Sequence, residues 1–462
     1  MAVFRIERTR DYTVMSNHHL RNANLSLKAK GLLSMMLSLP EDWNYTTRGL
    51  AKICKEGVDA IGAALRELER AGYIVRYQKR DKNGRITDTE YVIYEQPQPG
   101  TDDQNETDPQ TPDAPEASAA QQTAQALLDT MTDEEKIWQL FFVTPEAITN
   151  VNTATVAGET TKKALEQYPV GGIVYFAKNL EDREQTVALL ENTQSYAKIP
   201  LFLGVDEEGG TVSRVGSNPD MGVPSVGDMR SLGKQQDPAA AYAAGQDIGG
   251  SLHALGFNLD FAPVADVAQG ADSVIGSRSF GSDPELCASL AGVIVKSLRA
   301  EGIVSCLKHF PGYGNNADTH TGVAIDKRPY ETFEQSDFLP FRAGMGAGAP
   351  FVLVSHNVVE CMDAALPASL SPAVHEVLRE TLGFDGIVIT DDLAMDAVKQ
   401  YANGEAAVLA VLAGNDMLIT SDYQNDIPAV LAAVADGRIA EREIDAHVLR
   451  ILRYKQAQGW IE

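Results

Sequence analysis

The sequence predicts an α/β chain in which a large (β/α)8, TIM-like barrel follows a small helical domain ending in a hairpin, with a disordered linker between them. Three observations predict it. Eight short apolar runs spread through Leu127–Glu462 alternate with helical stretches, the pattern of parallel strands covered on both faces. Residues 1–95 instead read helix, helix, helix, hairpin. Between them, Gln96–Gln125 holds five prolines and six acids but no Lys, Arg, branched aliphatic or aromatic residue. Such a stretch buries too little apolar surface to offset its ordering entropy. The expected domains are therefore 1–95, the acidic linker 96–125 and the barrel 126–462.

In the first domain, Leu25–Leu39 carries apolar residues at helical spacing and stops at Pro40. Thr46 or Thr47 is placed to cap a short helix, and a third runs through Val58–Ala71 to end near Gly72. Tyr73–Arg80 and Ile86–Tyr94 alternate as strands around Asp81-Lys82-Asn83-Gly84, where Asn-Gly signals a tight turn. The expected barrel strands are Gln139–Val143, Ile173–Phe176, Phe202–Val205, Leu259–Ala262, Val304–Leu307, Phe351–Val354, Ile387–Thr390 and Met417–Thr420. Leu286–Gly302 is a clear crossover helix. A doubly wound open sheet accommodates the same strand count.

Composition excludes several classes. No apolar run approaches the roughly 20 residues needed to span a bilayer, and the N-terminus MAVFRIERTRDYTV lacks the apolar core of a secretory signal. The expectation is a cytoplasmic protein with no membrane partner. Cys54, Cys287, Cys306 and Cys361 are scattered without paired spacing, which disfavours a disulfide framework or a structural zinc site. The net charge of −25 is uneven, at +4 over residues 1–100 and −29 over 101–462. Only the front end would tolerate a polyanion.

In a barrel of this kind, chemistry sits just after the C-terminal ends of the strands. Those ends deliver Asp206, Asp266, Lys308 with His309, His356, and Asp391 with Asp392. A single such residue is commonly a structural hydrogen-bonder. Acids, two histidines, a lysine and nearby arginines on one rim describe a polar pocket for a hydroxyl-rich ligand. The Glu207-Glu208 pair lacks the histidine spacing of a metal site, and no metal or other cofactor is expected.

The segments DEEGGTVSR (206–214), NLDFAPVADV (258–267), IGSRSF (275–280), KHFPGYG (308–314), Asp318-Thr319-His320 and LGFDGIVITDDLAM (382–395) resemble glycoside hydrolase family 3. The likeness is greatest to its bacterial β-N-acetylglucosaminidases. It implies a retaining reaction through a covalent glycosyl-enzyme, with Asp391 as nucleophile and Asp392 in support. Retaining glycosidases commonly pair the nucleophile with a second carboxyl about 5–5.5 Å away. In this branch the resemblance instead implies His320 as acid/base with Asp318 as its partner. A histidine titrates near neutrality and serves both proton transfers. Gly312–Gly322, rich in small and polar residues, suits a lid. Asp206, Arg214, Arg278, Lys308, His309 and His356 match positions that hold sugar hydroxyls, while Asp260 and Asp266 also suit a loop-stabilising role.

The implied substrate is an amino-sugar oligosaccharide, a peptidoglycan fragment or chitooligosaccharide cut at its terminal β-linked N-acetylglucosamine. A β-glucosidase, a phosphorolytic relative, or a regulator whose barrel senses an amino sugar are the alternatives. Residues 1–95 resemble a winged helix-turn-helix domain of the replication-initiator and phage-regulator type. That implies Val58–Ala71 as recognition helix and Lys79–Arg85 as wing. DNA phosphates would then be met by Arg48, Lys52, Lys55, Lys79, Arg80, Lys82 and Arg85. A protein-docking module with a solvated basic face fits the same residues.

Overall fold

A computed structural model describes residues 18–22, 25–37, 50, 61, 64–65, 67–68, 71, 73–80, 86–94, 119–268, 275–314, 322–402 and 404–461. The chain divides into two compact units, Met1–Ala114 and Pro115–Glu462.

In the first unit, Leu27–Met36 forms a helix whose N-cap, Ser26, accepts from the Ala29 amide. The Ser26 hydroxyl also donates to Glu67 at 2.8 Å, fastening this helix to the helical residues around Leu65. Leu32, Leu33, Leu65, Leu68 and Tyr73 meet in one apolar cluster, so the 3.6-residue spacing in the sequence reports this core. Ile74–Arg80 and Ile86–Ile93 pair antiparallel with Ile74 opposite Ile93. The short helix expected after Thr46 lies outside the described residues except for Leu50, which is helical and buried.

In the second unit the eight strands are β1 Phe141–Val143, β2 Gly172–Tyr175, β3 Phe202–Val205, β4 Leu259–Asp260, β5 Val304–Phe310, β6 Phe351–Val354, β7 Ile387–Thr390 and β8 Leu418–Ile419. Each pairs in parallel with its sequence neighbours. β8 returns to β1, and a bridge from Ile389 to Met417 joins β7 to β8. The sheet therefore closes, which rules out the open doubly wound alternative. Phe142, Phe202, Phe261 and Phe351 pack against one another within the core.

Three expectations shift. Gln139 belongs to the helix Asp133–Gln139, not to β1, because Thr132 and Glu135 close a capping box that starts the helix. The strand β5 runs on to Phe310, so Lys308 and His309 lie within it rather than after it. The linker expected to reach Gln125 gives way earlier to a helix, Ala119–Thr130. Its Ala124 and Leu128 are buried and the Ala124 amide donates to Gln456 on the C-terminal helix. Ala124 and Leu128, four apart on one helix face, supply that packing.

Candidate functional site

The C-terminal ends of the strands surround a cavity of about 330 Å³. Apolar side chains, among them Val174, Phe261 and Leu353, line it together with charged ones. Asp206, Arg214, Arg278, Lys308, His309 and Asp391 all line it. The sequence reading thus brought together six residues separated by up to 185 positions.

The charged wall is built by strand alternation. Asp206 and Glu208, two apart, reach the same cation: Lys308 Nζ lies 2.7 Å from Asp206 and 2.6 Å from Glu208. Glu208 also accepts from Nε and Nη2 of Arg278, both at 2.7 Å. Burial opposes ionisation of Glu208, but Lys308 and Arg278 outweigh it and hold the carboxyl down at about 2. Burial likewise opposes the charge on Lys308, and Asp206 and Glu208 reverse the balance and raise its pKa. Glu207 points the other way. It accepts from the amides of Arg214, Val215 and Gly216 and from the Ser213 hydroxyl, curling the 207–216 segment so that Arg214 reaches the cavity. Among the described residues, Arg214 Nε is buried without a hydrogen-bond partner.

His309 is oriented from behind. Its Nδ1 lies 2.7 Å from Asp266, whose other oxygen accepts the Tyr313 amide at 2.6 Å. Its Nε2 lies 3.3 Å from Arg278 Nη2. A guanidinium only donates, so Nε2 accepts and Nδ1 carries the proton given to Asp266. Asp266 is thereby a positioning residue. Asp260, fully buried, accepts the Glu207 amide through one oxygen. Burial first, then the neighbouring acids, push its pKa well up.

Asp391 follows β7 directly. Its amide donates to Val354 and its Oδ1 accepts the Asp392 amide at 2.9 Å. Asp392 caps the same turn by accepting the Ala394 amide. Burial, aided by the Asp391 charge, raises the Asp392 pKa. His356 is the one described sugar-binding candidate that does not line the cavity. It is fully buried, with Nδ1 2.7 Å from the Ser369 hydroxyl and Nε2 3.0 Å from the Asp392 carbonyl. Its place behind the Asp391–Asp392 turn makes it a support for that turn. Position at a strand end does not reveal whether a side chain points into the mouth or into the wall.

Asp318 and His320 lie outside the described residues. So do Arg48, Lys52, Lys55, Lys82 and Arg85; Lys79 and Arg80 close the strand Ile74–Arg80. Glu208 was missed as a site residue. The i, i+2 spacing with Asp206 after a strand was the available signal, since alternate residues of an extended segment share a face.

Fold and site together define a (β/α)8-barrel enzyme whose catalytic mouth is paired acids and cations over an apolar floor. The family follows from comparison. Residues 132–454 match the model of the glycosyl hydrolase family 3 N terminal domain, and the chain belongs to that family. It is 35% identical over 281 residues to a β-hexosaminidase of Thiobacillus denitrificans, covering 59% of this chain and 77% of that one. A β-hexosaminidase of Bordetella pertussis is 36% identical over 277 residues, with coverages of 57% and 78%. Among solved structures, a family 3 β-N-acetylglucosaminidase from Paenibacillus sp. str. FPU-7 superposes with a TM-score of 0.67 at 34% identity. That match covers 72% of this chain and 63% of that protein. A β-N-acetylhexosaminidase from Beutenbergia cavernae gives 0.61 at 28% identity, covering 71% and 99%. Residues 23–74 separately match a helix-turn-helix domain model.

Proposed function

We propose that the chain is a retaining β-N-acetylhexosaminidase that removes terminal β-linked N-acetylglucosamine from oligosaccharides, peptidoglycan fragments or chitooligosaccharides. The observation that carries this reading is the placement of Asp391 at the mouth of a cavity it shares with Asp206, Arg214, Arg278, Lys308 and His309. The relatives' names supply the sugar. Donors and acceptors on one wall hold hydroxyls. Asp391 attacks the anomeric carbon as the glycosidic bond breaks, forming a glycosyl ester. His320, partnered by Asp318, gives its proton to the departing oxygen, then takes one from the water that opens the ester.

The test is an aryl-glycoside panel comparing N-acetylglucosaminide with glucoside, with and without phosphate, together with an activated 2-fluoro or 5-fluoro glycoside as a trap. Preference for the N-acetylglucosaminide, independence from phosphate and a label on Asp391 are expected. A label on Asp392, or turnover that requires phosphate, would replace this assignment.

For the N-terminal unit, the helix-turn-helix match over residues 23–74 supports DNA binding, with Lys79, Arg80 and the basic residues around them proposed as phosphate contacts. Titration of the full chain with duplex DNA over a salt series should give an affinity that falls steeply with salt. No binding at low salt would leave the docking role in its place. Among the described residues no helix is long and apolar enough to cross a membrane.

A further inference from the structure

The segment between β5 and the short strand Ile325–Asp326 contains residues 315–321, and with them Asp318 and His320. Its two described ends converge on one side chain. Arg328 Nη2 donates to the Gly312 carbonyl at 3.2 Å on the entry side. On the exit side Nε and Nη2 hold Asp326, at 2.9 and 2.7 Å. Nη1 spans both oxygens of Asp337, at 3.0 and 2.9 Å. The guanidinium also lies 4.3 Å from the centre of the Phe333 ring.

The acids that hold Arg328 are themselves fixed. Asp326 and Asp337 are 2% and 0% exposed. Asp337 stands immediately before Phe338, whose ring stacks on Phe310 of β5, so the brace ends on the barrel itself. Two glycines are shaped around it. Gly312, at φ 129, has no room for a Cβ, which would overlap the Asp337 carboxylate. A Cβ on Gly314, at φ 58, would sit 2.8 Å from Arg328 Nη2. The Pro-Gly-Tyr-Gly run is thus a seat for a guanidinium as well as a rim of the site. Burial pushes the Asp337 carboxyl up to about 6 against the opposing pull of Arg328. None of Arg328, Asp326 and Asp337 lines the cavity, so none is placed to touch a sugar held there.

We propose that Arg328, braced by Asp326 and Asp337, is the positioning residue for proton donation, because it ties both ends of the segment that carries His320 to the barrel wall. The proposal rests on the reading of His320 as the acid/base. Lysine cannot replace arginine here, since one ammonium cannot fork to two carboxylates and a carbonyl in a plane.

The test compares kcat/KM, which reports the first chemical step, for two N-acetylglucosaminides: a dinitrophenyl glycoside, whose leaving group departs unaided, and chitobiose, whose leaving oxygen needs a proton. The ratio of the two is unaffected by the fraction of enzyme folded. Arg328→Lys and Asp337→Asn should each widen it by about tenfold or more, because a donor misplaced by an ångström can cost up to about a hundredfold. His320→Ala should widen it furthest. If His320→Ala widens the ratio while Arg328→Lys and Asp337→Asn leave it at the parental value, the positioning role is wrong and the pair is merely structural. If His320→Ala itself leaves the ratio unchanged, the acid/base assignment fails first and this proposal falls with it. Should Arg328→Lys not fold, Asp337→Asn, nearly the same shape, decides alone.

Discussion

At the N-terminal end of the barrel, Asp416 accepts from Arg379 and the Val388 amide through one oxygen and from His447 and Arg450 through the other. At the C-terminal end, Asp206, Glu208, Arg278 and Lys308 are as tightly paired, yet Arg214 beside them keeps a buried Nε with no partner among the described residues. Both ends bury charge. The first gathers its donors around one carboxylate inside the protein, and the second sets its paired charges along a cavity. Burial and perturbed pKa values alone do not separate the two, since Asp416 and Glu208 are both held at about 2. What sets the second end apart is that its charged side chains line open volume.

Substitutions should therefore split by end. The largest effect is expected at the catalytic mouth. Asp391→Asn should lower kcat by about 10⁴-fold or more while leaving circular dichroism and thermal midpoint near parental. Activity within tenfold of the parent would remove Asp391 from the mechanism.

Asp416→Ala should do the reverse. It leaves Arg379, Arg450 and His447 without their shared acceptor, a change that costs about 3–5 kcal/mol when a buried pair loses one member. A drop in denaturant midpoint with kcat of the remaining folded enzyme within about threefold of parental is expected. The sign with pH follows. Burial raises the Asp416 pKa, but His447 and the two arginines hold it below its ordinary 3.8. Its stabilisation is complete above that value and is lost as pH falls toward about 2. A large fall in kcat with unchanged stability would break the contrast between the two ends.

Arg214→Met sharpens it. Its side chain supports little of the fold, so stability should change by under about 1 kcal/mol. With Arg214 holding a sugar hydroxyl as proposed, its loss should lower kcat/KM by about 10- to 100-fold. A stability loss as large as that of Asp416→Ala would show that Arg214 serves the fold.

A pH dependence is expected from Lys455, fully buried at the N-terminal end of the barrel beside Gln139 and the Gly171 carbonyl, with no ion pair among the described residues. Burial lowers its pKa to about 7. Between about 7 and its ordinary 10.5 the unfolded chain binds a proton that the folded chain does not, so stability should rise with pH across that window. Lys455→Met should flatten the rise. An unchanged slope in thermal midpoint against pH would show that the amine stays charged when folded.

The sequence by itself determined the barrel and much of its mouth. Eight apolar runs between amphipathic stretches leave few ways to bury both faces of each strand. Phe202–Val205, Phe351–Val354 and Ile387–Thr390 end where the pattern ends. Side chains at or just past the C-terminal ends of such strands are delivered to one rim by chain direction alone, which is why Asp206, Lys308 and Asp391 were legible together. Where a helix starts early, as at Ala119, or keeps a residue from a strand, as at Gln139, the deciding contacts are a distant Gln456 and a local capping box.

Only the tertiary structure decided which way each rim residue faces and what holds it there. His309, within the last residues of β5, and His356, two residues past β6, both lie near strand ends, yet His356 supports the Asp392 carbonyl inside the wall while His309 opens onto the cavity under the hold of Asp266. Glu207 and Glu208 are adjacent acids, one spent on backbone amides and one on Lys308 and Arg278. Arg328 gains its meaning from Gly312 and Asp337, sixteen and nine positions away. Periodicity reports burial, which is local and repeated. The direction of a single charged side chain depends on partners brought from elsewhere in the chain, and closure of the barrel is what brings them.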